Sequence, residues 1–150
     1  MSEPHFNKVV IIGVGLIGGS LAISLKQKGM AASIVGVGRG LKNLEAAVRL
    51  GVIDSFTHDV EEAVVGAELV VVAVPVMKIG DTIRKAAPFL SPGCIVTDVG
   101  SAKGAIIDEV EPLMPAGTYF VAAHPIAGTE HSGVEAAFGR DISITPIGVD

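Results

Sequence analysis

The sequence predicts an α/β fold: a doubly wound, mainly parallel six-stranded sheet with helices on both faces, formed by residues 1–150 as one domain. Two observations carry this reading. Short β-branched runs alternate with helical patterns and short connections almost from end to end, the order that builds parallel sheets. A glycine-rich turn, Gly13-Val14-Gly15-Leu16-Ile17-Gly18, stands at the first strand–helix junction.

Lys8 to Ile12 is a β-branched strand, followed by a helix from Leu16 to Lys28 that Gly29 stops. Ser33 to Val37 is a second strand. The pattern from Leu41 to Leu50 is amphipathic, with Leu44, Ala47 and Val48 on one face and Gly51 after it. Glu68 to Val74 is nearly pure Val, Leu and Ala, as in a strand buried on both faces. A helix from Val76 to Leu90 ends at Ser91-Pro92-Gly93. Cys94 to Val99 is a fourth strand, and Ala102 to Met114 a helix closed by Pro115. Tyr119 to Ala123 is a fifth strand. A polar loop and a short helix around Val134 to Phe138 lead to the sixth, Ile142 to Ile147.

Composition narrows the function. With 49% hydrophobic and 18% charged residues in 150, the chain has ample apolar surface for a core, which excludes disorder. A net charge of −5 argues against a nucleic-acid partner held through phosphates. The single cysteine excludes an internal disulfide and a Cys-rich zinc site, and the histidines lack metal-ligand spacing, so no metal is expected. Val9 to Leu25 is uncharged but contains Gly13, Gly15, Gly18 and Gly19, and Leu69 to Met77 is far short of the ~20 residues a bilayer requires. A soluble, cytoplasmic protein is expected, with no membrane partner. The 19 glycines in 150 residues, about 13% against a typical ~7%, and the 4% aromatic content suggest tight turns around a bound molecule.

The glycine turn has the spacing and the strand–helix setting of a dinucleotide-binding, Rossmann-type domain. Gly13 permits the tight turn, Gly15 lets a pyrophosphate approach the backbone, and Gly18 lets helix and strand pack closely. Leu16 and Ile17 open the helix whose N-terminus faces the phosphates. NAD-specific domains usually end the second strand with Asp or Glu. Here the sequence is Val37-Gly38-Arg39-Gly40. The missing carboxylate and the Arg39 guanidinium favour NADP over NAD, the alternative being a solvated surface arginine. Val74 and Pro75 end the third strand and form a wall along the cofactor. Ser101 follows the fourth strand at a helix N-cap position, where capping alone would explain it. Pro125 holds His124 in extended geometry at the carboxyl end of the fifth strand, the edge where open α/β sheets bind ligands. Gly13, Arg39, Pro75, Ser101 and His124 thus converge on one expected crevice. His5 and His58 show no comparable setting.

With these motifs the chain resembles the prephenate/arogenate dehydrogenase family of tyrosine biosynthesis. The likeness rests on Gly13 to Ser20, on Thr97-Asp98-Val99-Gly100-Ser101-Ala102-Lys103, and on His124-Pro125-Ile126-Ala127-Gly128-Thr129-Glu130. It extends to Ile144-Thr145-Pro146 and covers nearly the whole chain. The resemblance implies oxidative decarboxylation of prephenate or arogenate, small-molecule substrates, to 4-hydroxyphenylpyruvate or tyrosine. It implies that His124 is the catalytic histidine, with Ser101 hydrogen-bonding near the substrate 4-hydroxyl, and that Glu130 stands at the pocket mouth. Family members continue into a helical C-terminal domain that is absent after Asp150 and carries a substrate arginine and most of a homodimer interface. The chain is therefore expected to be the cofactor domain of a longer protein, poorly active alone. Two alternatives remain. One is another β-hydroxyacid-type dehydrogenase, disfavoured by the His124 loop; the other is a non-catalytic nucleotide-sensing module.

Overall fold

The computed structural model describes residues 5–99, 109–125 and 142–146. In chain order the elements are β1 (Phe6–Ile12), α1 (Leu16–Gln27), β2 (Ala31–Val37), α2 (Leu41–Arg49), β3 (Ser55–Thr57), α3 (Val60–Val64), β4 (Leu69–Val72), α4 (Val76–Ala86), β5 (Ile95–Asp98), β6 (Tyr119–Pro125) and β7 (Ile142–Pro146). They form one sheet in the order β3-β2-β1-β4-β5-β6-β7. The first six strands run parallel, and β7 pairs antiparallel with β6.

The expected doubly wound architecture is present, with one strand more than the six anticipated. The addition is β3, a three-residue edge strand pairing Val35 with Ser55 and Val37 with Thr57. It is too short to show alternation, and it is followed by α3, a single turn capped by Asp59, whose carboxylate accepts from the Glu61 and Glu62 N–H groups. The helix expected to reach Leu90 ends at Ala86 and tightens into a 3-10 turn over Ala87–Phe89, where Pro88 removes a donor. Of the helix expected from Ala102 to Met114, residues 109–110 are helical and a 3-10 turn, Glu111–Leu113, follows. The short helix expected around Val134 to Phe138 lies outside the described residues.

Strand alternation explains why the sequence of the central strands is almost wholly apolar. Val10, Ile12, Val70 and Val72 face α3 and α4, joining Val64, Ile79 and Ile83 in one core. Val9, Ile11, Leu69 and Val71 face the other way, onto Leu21, Leu25 and Leu44 from α1 and α2. A central strand with both faces covered needs an apolar residue at every position. At the edge of the second layer, Lys26 of α1 binds Asp54 at 2.9 Å while the Ile34 N–H donates to the same carboxylate at 2.7 Å. Burial raises the Asp54 pKa, but the Lys26 bond, the Ile34 N–H and the Lys26 charge outweigh it, and the net direction is down.

Cys94, just before β5, is 1% exposed. Burial pushes its thiol up to about 11. Because the raised value belongs to the folded state, the contribution of Cys94 to stability is complete below the ordinary thiol value and is lost as pH climbs towards about 11. The native protein at pH 7.5 should react with Ellman's reagent only as fast as it opens, and at once in denaturant. Immediate native reaction would contradict the buried position.

Candidate active site

The register aligns Ile12 with Val37 and Val72, Val72 with Asp98, and Asp98 with Ala122. The carboxyl ends of the central parallel strands therefore stand level at one edge, and the chain leaves each of them there. Strand order reverses between β1 and β4, whose connections run to opposite sides of the sheet. Ligands of open α/β sheets bind at such a switch point.

Gly13 stands at this point with φ +97°, and its N–H donates to the Val37 carbonyl at 2.8 Å. A Cβ on Gly13 would lie 2.5 Å from the Ala73 carbonyl oxygen. The turn therefore passes too close to the β4 exit for any side chain. Gly18 is closed in the same way: a Cβ there would overlap the Gly13 carbonyl oxygen and stand 3.0 Å from Ile11 Cγ2. Gly15 differs. It is exposed, and a Cβ on it would meet nothing within 4 Å. It is also the N-cap of α1, so the cap position has no side chain to accept from the helix N-terminus, and the first turn carries no acid. The N–H groups of the Leu16-Ile17-Gly18 turn precede the first internal helical bonds, and the backbone in front of them is open. This is the requirement for cradling a pyrophosphate.

A cleft of about 730 Å³ opens from this turn. Gly13, Val74 and Pro75 line one part of it, and Gly38, Arg39 and His58 another. Lys78, Arg84 and Lys85 of α4 complete a basic lining in a chain whose net charge is −5. The acid among the lining residues, Asp81, is paired with Arg84 at 2.7 Å. The cleft thus combines an apolar wall, a bare glycine turn and concentrated positive charge, a setting for an anionic, partly apolar ligand.

Gly13, Arg39, Val74 and Pro75 come together in this cleft, and Gly15, Ile17 and Gly18 belong to the adjoining turn, with Leu16 at the first position of α1. Ser101 and Glu130 lie outside the described residues. His124 falls inside β6, two positions beyond the level of Ala122, with its backbone opposite Ser143 of β7. The strand was expected to stop at Ala123; pairing with β7 carries it on to Pro125. Its side chain is outside what is described.

Two residues with no role expected from the sequence brace the cleft: Asn43, and His58, whose sequence setting shows nothing comparable to that of His124. The Asn43 side-chain amide donates to the Val14 carbonyl at 2.5 Å, tying α2 to the glycine turn. His58 Nδ1 lies 2.7 Å from the Gly38 carbonyl oxygen. No motif marks either residue; both contacts arise because β2 and its connections bring distant segments together.

Among the described residues, no helix is long and apolar enough to cross a membrane. Residues 21–142 match the family model for the prephenate dehydrogenase nucleotide-binding domain. The chain is 34% identical over 130 residues to prephenate dehydrogenase of Bacillus subtilis, covering 86% of this chain and 35% of that one. Among solved structures it is similar to prephenate dehydrogenase from A. aeolicus in complex with hydroxyphenyl propionate and NAD+. There the TM-score is 0.79 and the identity 35%, over 95% of this chain and 51% of that chain. It is also similar to Synechocystis arogenate dehydrogenase, with TM-score 0.76 and 32% identity over 94% of this chain and 50% of that chain. The chain spans about half the length, or less, of each of these proteins. The glycine turn, the cleft and this likeness over nearly the whole sequence agree: the chain belongs to the prephenate dehydrogenase family and carries its nucleotide-binding domain.

Proposed function

We propose that this chain is the cofactor-binding and catalytic half of an NADP-dependent prephenate or arogenate dehydrogenase acting in tyrosine biosynthesis. In this reading the protein is cytoplasmic, and the longer protein is completed, and dimerised, by a helical C-terminal domain. The observation that carries the proposal is the cleft itself. The open Gly15 backbone and the uncapped start of α1 adjoin one part, and Arg39 lines another.

The residues fit a nicotinamide dinucleotide. Gly15 and the first turn of α1 would hold the pyrophosphate, Val74 and Pro75 would flank it, and Arg39 would take the ribose end. The A. aeolicus relative holds NAD+. Here Gly38 leaves no carboxylate at the end of β2, and Arg39 offers a charged fork suited to a 2′-phosphate. Held there, a nicotinamide would supply the hydride acceptor for the substrate ring carbon that carries the 4-hydroxyl.

The residues of the chain do the remainder. His124, as a neutral imidazole, accepts a hydrogen bond from the 4-hydroxyl and polarises it, while Ser101 holds that hydroxyl and Glu130 borders the pocket mouth. The ring carboxylate leaves as CO2, and its bonding electrons aromatise the ring.

Calorimetric titration of NADP and NAD into the wild type and Arg39→Ala tests the cofactor assignment. The variant should lose roughly 10- to 100-fold in NADP affinity, as expected for a charge-assisted contact, with NAD binding unchanged. Equal losses, or none, would place Arg39 in solvent and leave the preference for NADP without support.

A further inference from the structure

We propose that His58 is a specificity-determining, positioning residue for the cofactor: it pins the turn that carries Arg39 and so sets the preference for a 2′-phosphorylated dinucleotide. The inference rests on the NADP reading above and adds to it a residue without a sequence motif.

Arg39 is flanked by Gly38 and Gly40, so its turn has little intrinsic stiffness. Pairing between β2 and β3 ends at Val37 and Thr57. One residue further on, the main-chain ladder is replaced by a side chain, as His58 Nδ1 meets the Gly38 carbonyl oxygen at 2.7 Å. A carbonyl only accepts, so Nδ1 carries the proton and donates. The imidazole is steadied in turn by the Phe56 ring, which it meets edge-on at 5.9 Å between centroids and 69° between planes. Phe56 packs against the buried cluster beneath α1 and α2. A path of contacts therefore runs from the core through Phe56 and His58 to the peptide preceding Arg39. Both Arg39 and His58 line the same cleft. Fixing the backbone before a long, rotamer-rich side chain lowers the entropy lost when its guanidinium engages an anion. That gain is confined to ligands that contact Arg39.

The test is titration of NADP and NAD into the wild type, His58→Ala, His58→Asn, Arg39→Ala and the Arg39→Ala/His58→Ala double variant. His58→Ala should weaken NADP roughly fivefold, the effect of one lost hydrogen bond, and leave NAD unaltered. In His58→Asn the amide nitrogen stands where Nδ1 stood, and NADP affinity should return towards wild type. In the double variant, NADP should bind no more weakly than to Arg39→Ala alone, because His58 acts through that residue. Wild-type NADP affinity in His58→Ala, equal loss of both cofactors, failure of the Asn rescue, or additive losses in the double variant would each overturn the role of His58. A wild type that does not prefer NADP, or an Arg39→Ala variant indifferent to it, would instead overturn the reading beneath it.

Discussion

Gly13→Ala should destabilise the fold by about 2–6 kcal/mol, with the strain of a positive φ and the overlap of the new methyl contributing about equally. The positive φ of 97° forces an L side chain into a sparsely populated region. The methyl would meet the Ala73 carbonyl oxygen at 2.5 Å and its carbon at 2.9 Å, both backbone atoms. Neither side can yield easily. Gly13 N is tied to the Val37 carbonyl at 2.8 Å, and Ala73 N to the Ile12 carbonyl at 2.7 Å. For a domain of this size the melting temperature should fall by on the order of 10 °C, and nucleotide affinity should fall with it. Gly15→Ala supplies the contrast. Its backbone has φ −107°, and the space beyond its Cα is empty. The melting temperature should hold, while NADP affinity falls by about tenfold or more because the methyl occupies the approach of the pyrophosphate. Thermal melts and titrations of the two variants separate the glycine that shapes the turn from the one that leaves room for ligand. A Gly13→Ala protein with wild-type stability would refute the close approach of the Gly13 turn to the β4 exit.

How far the fold is legible in the sequence depends on element length. The strands β1, β2, β4 and β5 are readable because burial on two faces favours short, mostly β-branched apolar runs, α2 because of its periodicity, and the ends of both α1 and α2 because of the glycines after them. The β3–α3 unit is not, since three and five residues are too few to display a period. A local signal does exist, in Asp59 followed three residues later by Glu62 and then by Ala63 and Val64, which is a helix-start pattern. The same difference in visibility applies to the site. Gly13, Gly15, Arg39 and Pro75 are visible because each stands within three residues of a strand end. Asn43 and His58 act on carbonyls 29 and 20 positions away in sequence, through contacts that only the completed sheet creates. A polar residue whose partner is a distant main-chain atom has no pattern of its own to read.

The chemistry proposed for His124 predicts the largest functional effect. In the full-length protein, His124→Asn should lower kcat by about 10²–10⁴-fold, the usual contribution of a positioned general base. The backbone of β6 supports this placement. His124 lies on the carboxyl edge of the sheet, two positions past the level that Ile12, Val72 and Asp98 share, and its strand is held there by pairing with β7. The asparagine amide can still form hydrogen bonds but has no basic nitrogen, so orientation is partly kept while polarisation of the 4-hydroxyl is lost. The Gly13–Gly18 turn and Arg39 sit on other strand exits, so the Kd for NADP should stay within about twofold of wild type. Turnover with prephenate and with arogenate, set beside cofactor titration on the same preparations, distinguishes the possibilities. A loss of turnover with cofactor affinity retained is the signature of the proposed role. A kcat within a few-fold of wild type would exclude His124 as the base, and a parallel fall in cofactor affinity would make the histidine a structural element of the nucleotide cleft.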